Sequence, residues 1–314
     1  MSENFNISSS PHIRSKVTTG NIMLMVIIAL LPATAFGIVN FGLSALLVIL
    51  VTVASSVLTE YLYQKLMHRK VTISDFSAVV TGLLLALNMP PTAPWWMCVL
   101  GSVFAILVVK QVFGGLGQNF MNPALGARCF LLISFTGRMT TFVYDGVTGA
   151  TPLALLKAGE KVNVFDMFLG NIGGCIGETS ALLLLIGFVY LLIRKVVNLR
   201  IPVAFIGTVA VVTFLFPMGN DRITWMAAQL LSGGLMLGAM FMATDYVTSP
   251  VTKLGQVCFG IGCGLITVII RYFGGYPEGV SYAILIMNCC VVLFDRIGRP
   301  KKFGAPKKAK EVKA

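Results

Sequence analysis

The residues best placed to do chemistry lie in a short polar stretch, YDGVTGATPLALLK, from Tyr144 to Lys157 of an otherwise apolar chain. Pro152 fixes its own φ and favours an extended backbone at Thr151, while the PLALLK that follows favours a helix. The sequence therefore predicts Thr151 at a helix N-cap, where free N–H groups favour an anion such as phosphate. A phosphate joined to the Thr151 hydroxyl would be held there; in the alternative interpretation Thr151 is only a cap and GVTGA only a turn.

Composition predicts that this stretch belongs to a membrane protein. The chain has 314 residues, of which 56% are hydrophobic and 11% charged, and its mean hydropathy is +0.86. Soluble domains do not have this composition. The first twenty residues are polar and the first apolar run has no cleavage pattern, so we expect the first helix to remain as a span. The net charge of +12 is concentrated at membrane edges, which favours anionic lipid headgroups over nucleic acid as partners.

Ten apolar runs predict an all-α polytopic membrane protein with about ten transmembrane helices. The predicted spans are Ile22 to Val39, Phe41 to Leu62, Phe76 to Met89, Trp95 to Phe113, Pro123 to Phe135, Ile176 to Val197, Ile201 to Met218, Ile223 to Ala243, Leu254 to Phe273 and Val280 to Phe294. The third, fifth and tenth are shorter than the roughly 20 residues that a spanning helix needs. They are therefore expected to be broken or re-entrant elements shielded by neighbouring helices.

The distribution of basic residues predicts the orientation. With both termini in the cytoplasm, the inner side holds eighteen Lys and Arg residues and the outer side five, with Arg128 left inside span five. The positive-inside rule then places the loop from Thr136 to Ile172 outside the cytoplasm. Glu60, Lys110 and Glu178 lie near helix ends, where long side chains can reach the interface. An arginine at membrane depth usually faces a partner or a cavity, but the sequence names no partner for Arg128.

Two similar segments predict an internal repeat. GLLLALNMPPTAP (82–94) and GAMFMATDYVTSP (238–250) share Gly, Thr and Pro positions, and second breaks follow at GGLGQNFMNPA and GGYPEGVSYA. Five spans plus five give two copies of opposite orientation, as in many transporters. The predicted organisation is a cytoplasmic tail (1–20), a first five-helix repeat (21–135), an extracytoplasmic loop (136–175), a second five-helix repeat (176–295) and a basic cytoplasmic tail (296–314).

Polar residues at these breaks are candidates for an ion path. In inverted-repeat transporters, broken helices meet near the midplane and leave backbone groups free to bind an ion. The alternative is that they only cap helices and form turns. The candidates are Asn88, Thr92, Asn119, Asn122, Thr244, Asp245 and Thr248.

The seven cysteines have no zinc-site spacing and are interpreted as packing residues. A redox role remains the alternative, because Cys289 and Cys290 are adjacent and Cys258 and Cys263 lie five apart. The chain also lacks a glycine-rich dinucleotide fingerprint and a clustered cysteine set for an iron–sulfur centre. No metal site is predicted.

The run from Asp145 to Thr151 resembles the flavinylation motif Asp, two residues, Ser or Thr, Gly, Ala, Thr, which extracytoplasmic flavin transferases modify. The resemblance implies FMN linked through its phosphate to Thr151. It also implies that the transferase recognises Asp145, Thr148, Gly149 and Ala150. The charge distribution places this loop outside the cytoplasm independently of the resemblance.

NMPPTAPWW, GGLGQNFMNPALGARCFL and MATDYVTSP resemble segments of the NqrB and RnfD family of membrane subunits, and the likeness covers nearly the whole chain. The short polar N-terminus favours the Rnf branch. This implies a multi-pass cell-membrane subunit of a translocase that passes electrons between ferredoxin and NAD+ and moves Na+ or H+. It also implies the A, B, C, E and G subunits as partners, which would bind the end substrates, and a second, non-covalent flavin, riboflavin, at no assigned site.

Charged residues of the loop have two interpretations. Arg138, Lys157 and Lys161 could stabilise a reduced, anionic flavin, or they could form a solvated face. For the whole chain, three alternatives stay open: an NqrB-like subunit of a sodium-pumping NADH:quinone reductase, a urea-channel-like permease without a redox cofactor, and a structural anchor for other subunits.

Overall fold

The computed structural model is almost entirely helical. It describes residues 17–144, 147–160, 162–178, 180–219, 221–275 and 278–296. The all-helical membrane class predicted from composition is confirmed, with one small hairpin as the exception among these residues.

Five α-helices and one 3₁₀ turn precede the polar loop. Helix α1 begins after Thr18, whose hydroxyl accepts from the Asn21 N–H, and ends before Gly42, which has a φ of +71°. Glycine suits this junction because it adopts positive φ without strain. The bounds are α1 Thr19–Phe41, α2 Leu43–Leu66, a 3₁₀ turn Ile73–Asp75, α3 Ser77–Leu87, α4 Trp95–Val103 with a π-helical continuation Phe104–Gln111, and α5 Pro123–Ser134.

The polar loop carries short elements of its own. They are α6 Thr136–Met139, strands β1 Phe142–Tyr144 and β2 Val147–Gly149, α7 Pro152–Lys157 and α8 Val164–Leu169. The remaining helices are α9 Ala181–Ile193, α10 Arg200–Leu215, α11 Arg222–Leu231, α12 Leu235–Leu237 with a π-helical continuation Gly238–Met242, α13 Lys253–Phe273, α14 Val280–Cys289 and α15 Val291–Arg296.

Only part of this helical content is long enough to cross a membrane as single helices. Helices α1, α2 and α13 pass that test, and α11 with α12 and its continuation passes it only as a pair bent by 61°. Six shorter apolar helices of 10–17 residues occupy the other predicted spans. The short third, fifth and tenth predicted spans are indeed among these six.

Two predicted spans differ from the structure for a clear reason. The sequence predicts span six from Ile176, but α9 begins at Ala181 because the preceding residues run alongside the end of α3. There the Ile176 N–H donates to the Met89 carbonyl at 3.1 Å and the Gly177 N–H donates to the Leu87 carbonyl at 2.8 Å. These bonds satisfy carbonyls that the end of α3 leaves free. Span eight, predicted as one helix, is broken at 232–234.

Small residues allow the helices of the two halves to pack closely. A Cβ on Gly187 in α9 would lie 2.0 Å from the Ala29 carbonyl oxygen in α1, so only glycine fits there. A Cβ on Gly260 in α13 would lie 2.8 Å from the Ile201 carbonyl oxygen in α10. Close backbone approach at small residues is a main source of helix association in membranes. The first and second halves therefore share one core, which includes Leu30, Leu85, Phe205 and Phe259.

Hydrogen bonds between connecting segments sort the helix ends into two groups. Those at the end where α1 begins join Gln64 to Thr72, Tyr246 to the Val196 carbonyl, and the Val251 N–H to Asp295. Those at the opposite end join Asn40 to the Gly170 carbonyl, Tyr272 to the Phe216 carbonyl, and Lys157 to the Gly274 carbonyl. The connecting segments at each end are thus held to one another by hydrogen bonds.

Glu60 and Lys110 do not extend to the interface as expected. Lys110 is 2% exposed and Glu60 is 1% exposed, and Lys110 Nζ lies 2.8 Å from Glu60 Oε2. Ser77, Gln64 and Gln111 complete the hydrogen bonds of this pair. Mutual pairing removes the need for either charge to reach water.

Candidate functional site

The hairpin of the polar loop leads directly to Thr151. Strands β1 and β2 are antiparallel, with Phe142 opposite Gly149 and Val143 opposite Thr148. Asp145 and Gly146, between the two strands in the sequence, lie outside the described residues. Gly149 and Ala150 are exposed. The hairpin thus presents Gly149 and Ala150 of the motif at the surface immediately before α7.

Thr151 occupies the predicted N-cap. Its backbone is extended, with φ −65° and ψ 152°, and Pro152 is the first residue of α7. The Thr151 Oγ1 accepts from the Ala154 N–H at 3.4 Å, a long hydrogen bond. The cap prediction is confirmed. Helix α7 has six residues, so its dipole alone is a weak anchor for a phosphate.

A cavity of about 230 Å³ opens beside Thr151. Its lining includes Ala150 and Ala154, which lie close to Thr151 in the sequence, several apolar side chains and two charged ones. The other lining residues are Arg128, Leu132, Met139, Thr140, Phe142 and Glu278. The arginine that the sequence left without a partner therefore shares a cavity with the candidate attachment residue.

Arg128 is held by four side chains from three other segments. Its Nη1 donates to Asn88 Oδ1 at 2.5 Å and to Glu178 Oε1 at 2.9 Å. Its Nη2 contacts Glu278 Oε2 and lies 3.7 Å from Cys175 Sγ. The Arg128 residue is 4% exposed. A buried arginine with these partners is a charge-compensated cluster.

The acidic part of this cluster also has the spacing of a metal site. Ligand atoms of Cys175, Glu178 and Glu278 all lie within 4.8 Å of one another. Arg128 forms ion pairs with both carboxylates, so its guanidinium supplies the cation that such a group needs. The geometry therefore favours an internal arginine site over a metal centre.

The break between α11 and α12 borders the same cluster. Gly233 and Gly234 both have positive φ, +63° and +65°. A Cβ on Gly234 would lie 2.3 Å from Glu178 Oε1, and one on Gly233 would lie 2.9 Å from Arg271 Nη2. These two positions require glycine for conformation and for space.

Arg271 is a structural residue that the sequence did not reveal, because its place at a predicted helix end puts it among the outer-side charges. It is 4% exposed and closes the broken end of α11 by donating to free carbonyls. Its acceptors are the carbonyls of Gln229 at 2.5 Å, Ser232 at 2.9 Å and Gly233 at 3.4 Å. The only sequence signal was the pair of glycines at the break.

The predicted breaks of the two halves meet in the core. Asn88 Nδ2 lies 3.5 Å from Met242 Sδ, and Asn122 Nδ2 donates to the Met242 carbonyl at 3.3 Å. The Asn288 amide, oriented to satisfy its neighbours, accepts from the Asn122 N–H at 3.2 Å and donates to the Thr248 carbonyl at 2.9 Å. Three of the candidate ion-path residues are therefore parts of one buried polar junction.

Four candidates line a second cavity, of about 90 Å³, on the other side of that junction. They are Asn119, Asn122, Thr244 and Asp245, and Lys110 lines the same cavity. Thr248 joins them through its hydroxyl, which donates to Asp245 Oδ2 at 3.2 Å. Thr92 is separate: it is exposed and donates to the Thr141 carbonyl in the polar loop at 3.2 Å. The structure thus unites six of the seven candidates, with Asn88 at the junction.

The basic residues of the loop lie away from the Thr151 cavity lining. Arg138 is exposed and stacks over the Trp96 ring at 5.8 Å. Lys157 is exposed and donates to the Gly274 carbonyl. Lys161 lies outside the described residues. For Arg138 and Lys157 the geometry favours the solvated-face interpretation.

The cysteines are all unpaired. Cys98, Cys129, Cys175 and Cys263 are buried, Cys258 and Cys290 are partly buried, and Cys289 is exposed. Burial of most of them favours packing, and only Cys175 touches a charged group of the site.

Comparison with known proteins places the chain in a family. The model of the NQR2, RnfD, RnfE family matches residues 6–304. The chain is 55% identical to the D-type subunit of the Na(+)-translocating ferredoxin:NAD(+) oxidoreductase complex of Acetobacterium woodii, with 99% of each chain covered. It is 44% identical to the D-type subunit of the proton-translocating ferredoxin:NAD(+) oxidoreductase complex of Clostridium ljungdahlii, with 96% of each covered.

A relative with lower identity is also matched over nearly its whole length. The chain is 37% identical to the D-type subunit of the ion-translocating oxidoreductase complex of Escherichia coli, over 96% of this chain and 98% of that protein. A family match across nearly the entire chain, together with relatives that align end to end, decides the assignment. The chain belongs to the NQR2, RnfD, RnfE family.

Proposed function

We propose that the chain is the D-type membrane subunit of a ferredoxin:NAD+ oxidoreductase complex that moves Na+ or H+. The observation that carries this proposal is the end-to-end match to relatives that bear this name, including the short segment before the first helix. The same match favours the Rnf branch over an NqrB-like subunit. The proposed partners are the A, B, C, E and G subunits, which bind the end substrates.

Within that complex, we propose that FMN is joined through its phosphate to Thr151 Oγ1. A flavin transferase forms the Oγ1–P bond and breaks the diphosphate bond of an activated flavin dinucleotide. The hydroxyl proton passes to a base of the transferase, and a nucleoside monophosphate leaves. The exposed Gly149 and Ala150 give the transferase access to the motif, although Thr151 itself is 9% exposed.

The residues beside Thr151 fit a flavin. Ala150 and Ala154 leave room at the hydroxyl, and Leu132, Met139 and Phe142 offer an apolar wall to an aromatic ring. The cavity of about 230 Å³ is smaller than the roughly 300–1,000 Å³ that enclose a drug-sized ligand, so it holds only part of the flavin. Bound there, the flavin would accept and donate electrons singly, and its exposed part would face a partner subunit.

We also propose that the second cavity, lined by Asn119, Asn122, Thr244 and Asp245, belongs to the ion path. Carbonyl, hydroxyl and carboxylate oxygens are the ligands that hard cations prefer. Buried polar groups at broken helices mark ion pathways in other membrane proteins. The ion stays open between Na+ and H+, because the names of the relatives differ in this respect.

Ion coupling gives the test of this function. In vesicles containing the assembled complex, ferredoxin-dependent NAD+ reduction should drive ion movement, and both should disappear without this chain. Asp245→Asn should reduce ion movement several-fold more than electron transfer, because Asp245 lines the second cavity and not the cavity of Thr151. The matched control is Asp166→Asn, which removes a carboxylate of α8 that bonds only Asn163 among the described contacts. Equal losses of both activities would instead indicate a folding or assembly defect and contradict the ion-path assignment.

For the architecture, we propose ten membrane crossings in two inverted five-helix repeats, with the domain limits predicted from the sequence. The bent pair and the meeting of the two breaks at Met242 support this arrangement. The proposed orientation has both termini in the cytoplasm and the Thr151 loop outside, where the flavin transferase works.

A reporter experiment tests this orientation. Compartment-sensitive reporters fused after Lys313 and inserted near Lys161 should give opposite signals, because five crossings, an odd number, separate the loop from each terminus. A reporter in the segment between α2 and α3 serves as the control and should match the C-terminal signal. Matching signals from Lys313 and Lys161 would rule out the orientation.

A further inference from the structure

The lining of the cavity beside Thr151 includes a pair of opposite charges. Arg128 and Glu278 both line it, and Glu278 contacts Arg128 Nη2. The side chain of Arg128 is 5% exposed and that of Glu278 is 19% exposed. The walls between these charges and Thr151 are mostly apolar. A group that occupies this cavity therefore meets fixed charges in a poorly hydrated setting.

Arg128 is not free to reorient. Its Nη1 already donates to Asn88 and Glu178, and its Nη2 is engaged by Glu278 and Cys175. Arginine keeps its proton in proteins, so the positive charge is permanent. The position of this charge is thus determined by helix α5 and by partners on three other segments.

The cluster holds one guanidinium and two carboxylates, and a second buried guanidinium, that of Arg271, also interacts with both Glu178 and Glu278. Because charges interact more strongly where water is excluded, each member acts on a neighbouring redox group with little screening. Arg128 favours an added electron in the cavity, and Glu278 opposes it.

The exposed basic residues of the loop are weaker candidates for this task. Arg138 lies over Trp96 and Lys157 reaches the Gly274 carbonyl, and both are in contact with solvent. Solvent and salt screen exposed charges. The buried pair should therefore dominate the electrostatic potential at the cavity.

We propose that Arg128 and Glu278 form the charged floor of the flavin cavity and set the reduction potential of the flavin at Thr151 in opposite directions. This inference rests on the proposed attachment of FMN to Thr151. Arg128 and Glu278 act as tuning residues, and Asn88 and Glu178 position Arg128 for that role.

The test compares charge-removing variants in the purified complex, with the covalent flavin quantified in each. Arg128→Gln should lower the reduction potential and Glu278→Gln should raise it. Each single variant should change the ratio of oxidised to reduced flavin at a fixed potential on the order of tenfold, which is about 59 mV for a one-electron couple. Arg128→Lys, which keeps the charge, should stay nearer the unchanged protein than Arg128→Gln.

Three controls separate charge from packing. The double variant Arg128→Gln, Glu278→Gln should return towards the original potential, because the two effects oppose each other. Cys98→Ala removes a buried thiol outside the lining of this cavity and should leave the potential unchanged. Lys157→Gln removes an exposed positive charge of α7, the helix that Thr151 caps, and should shift the potential less than Arg128→Gln does.

Potentials that move in the same direction in the two single variants, or an unchanged potential in Glu278→Gln, would overturn the proposal. If Arg128→Gln does not assemble, Glu278→Gln and Arg128→Lys still decide it. An unmodified Thr151 in the unchanged complex would contradict the proposed function instead. Covalent flavin with an unaffected potential would contradict only the role of the charged floor.

Discussion

Thr151→Ala is expected to abolish covalent flavin and to stop electron flow through the complex, while the protein remains folded in the membrane. The substitution removes the hydroxyl to which the motif is expected to attach FMN. The structural loss is small, because the cap bond to the Ala154 N–H is 3.4 Å long. N-cap substitutions cost about 0.5–2 kcal/mol, and a long bond belongs near the lower limit. A denaturing gel viewed under ultraviolet light should show a fluorescent band for the unchanged chain and none for the variant.

Two further substitutions separate the attachment residue from its neighbour in the motif. Thr148→Ser should retain the flavin, because the motif accepts serine or threonine there. Thr151→Ser keeps a hydroxyl and a capping oxygen, so partial labelling is expected. Mass spectrometry of the peptide from Asp145 to Lys157 should show an added mass of FMN less one water on Thr151. The same mass on Thr148, or an unmodified peptide from a fully active complex, would refute the assignment. Absence of any flavin after co-expression with the transferase would favour a permease or an anchor.

Lys110→Met is expected to lower the free energy of unfolding by about 3–5 kcal/mol, because it leaves the Glu60 carboxylate buried without its partner. Lys110 Nζ donates to both carboxylate oxygens of Glu60, at 2.8 and 3.0 Å, and to Ser77 Oγ at 2.6 Å. Both residues of the pair are at most 2% exposed. Water therefore cannot replace the lost partner. Denaturant unfolding of the purified chain in detergent measures the change.

A double substitution and an exposed lysine provide the controls for the pair. Glu60→Gln combined with Lys110→Met removes both charges and should recover most of the stability. Lys65→Met alters an exposed lysine of α2 that lies over the Tyr61 ring, and it should change stability by no more than about 0.5 kcal/mol. A double variant that is less stable than Lys110→Met alone would show that the pair is not the source of the effect.

Local features of the fold and of the candidate site could be predicted because short segments determine them. Pro152 and the extended residue before it determine the cap at Thr151, and the apolar runs determine where most helices lie. The breaks at Asn88 and near Thr244 were predictable, because Pro, Gly and polar residues interrupt helices whatever surrounds them. Arg128 could be singled out because it is a charged residue within an apolar predicted span.

Some helix limits could not be predicted, because distant residues determine them. The segment from Cys175 to Glu178 reads as part of an apolar helix, yet it pairs with the end of α3, which precedes it by about ninety residues. The bend at Gly233 and Gly234 depends on Arg271, which supplies the hydrogen bonds that the broken helix loses. The local sequence predicts neither of these long-range contacts.

The sequence by itself determined the membrane class, the breaks, the cap and the motif at Thr151. Only the tertiary structure decided which distant side chains contact these features. Arg128 meets Asn88, Glu178 and Glu278, which lie 40, 50 and 150 residues away along the chain, and these contacts place its charge in the cavity of Thr151. Hydrophobic periodicity and capping rules describe neighbours within a turn or two, whereas a buried charge is compensated by whichever side chains the packing of several helices brings to it.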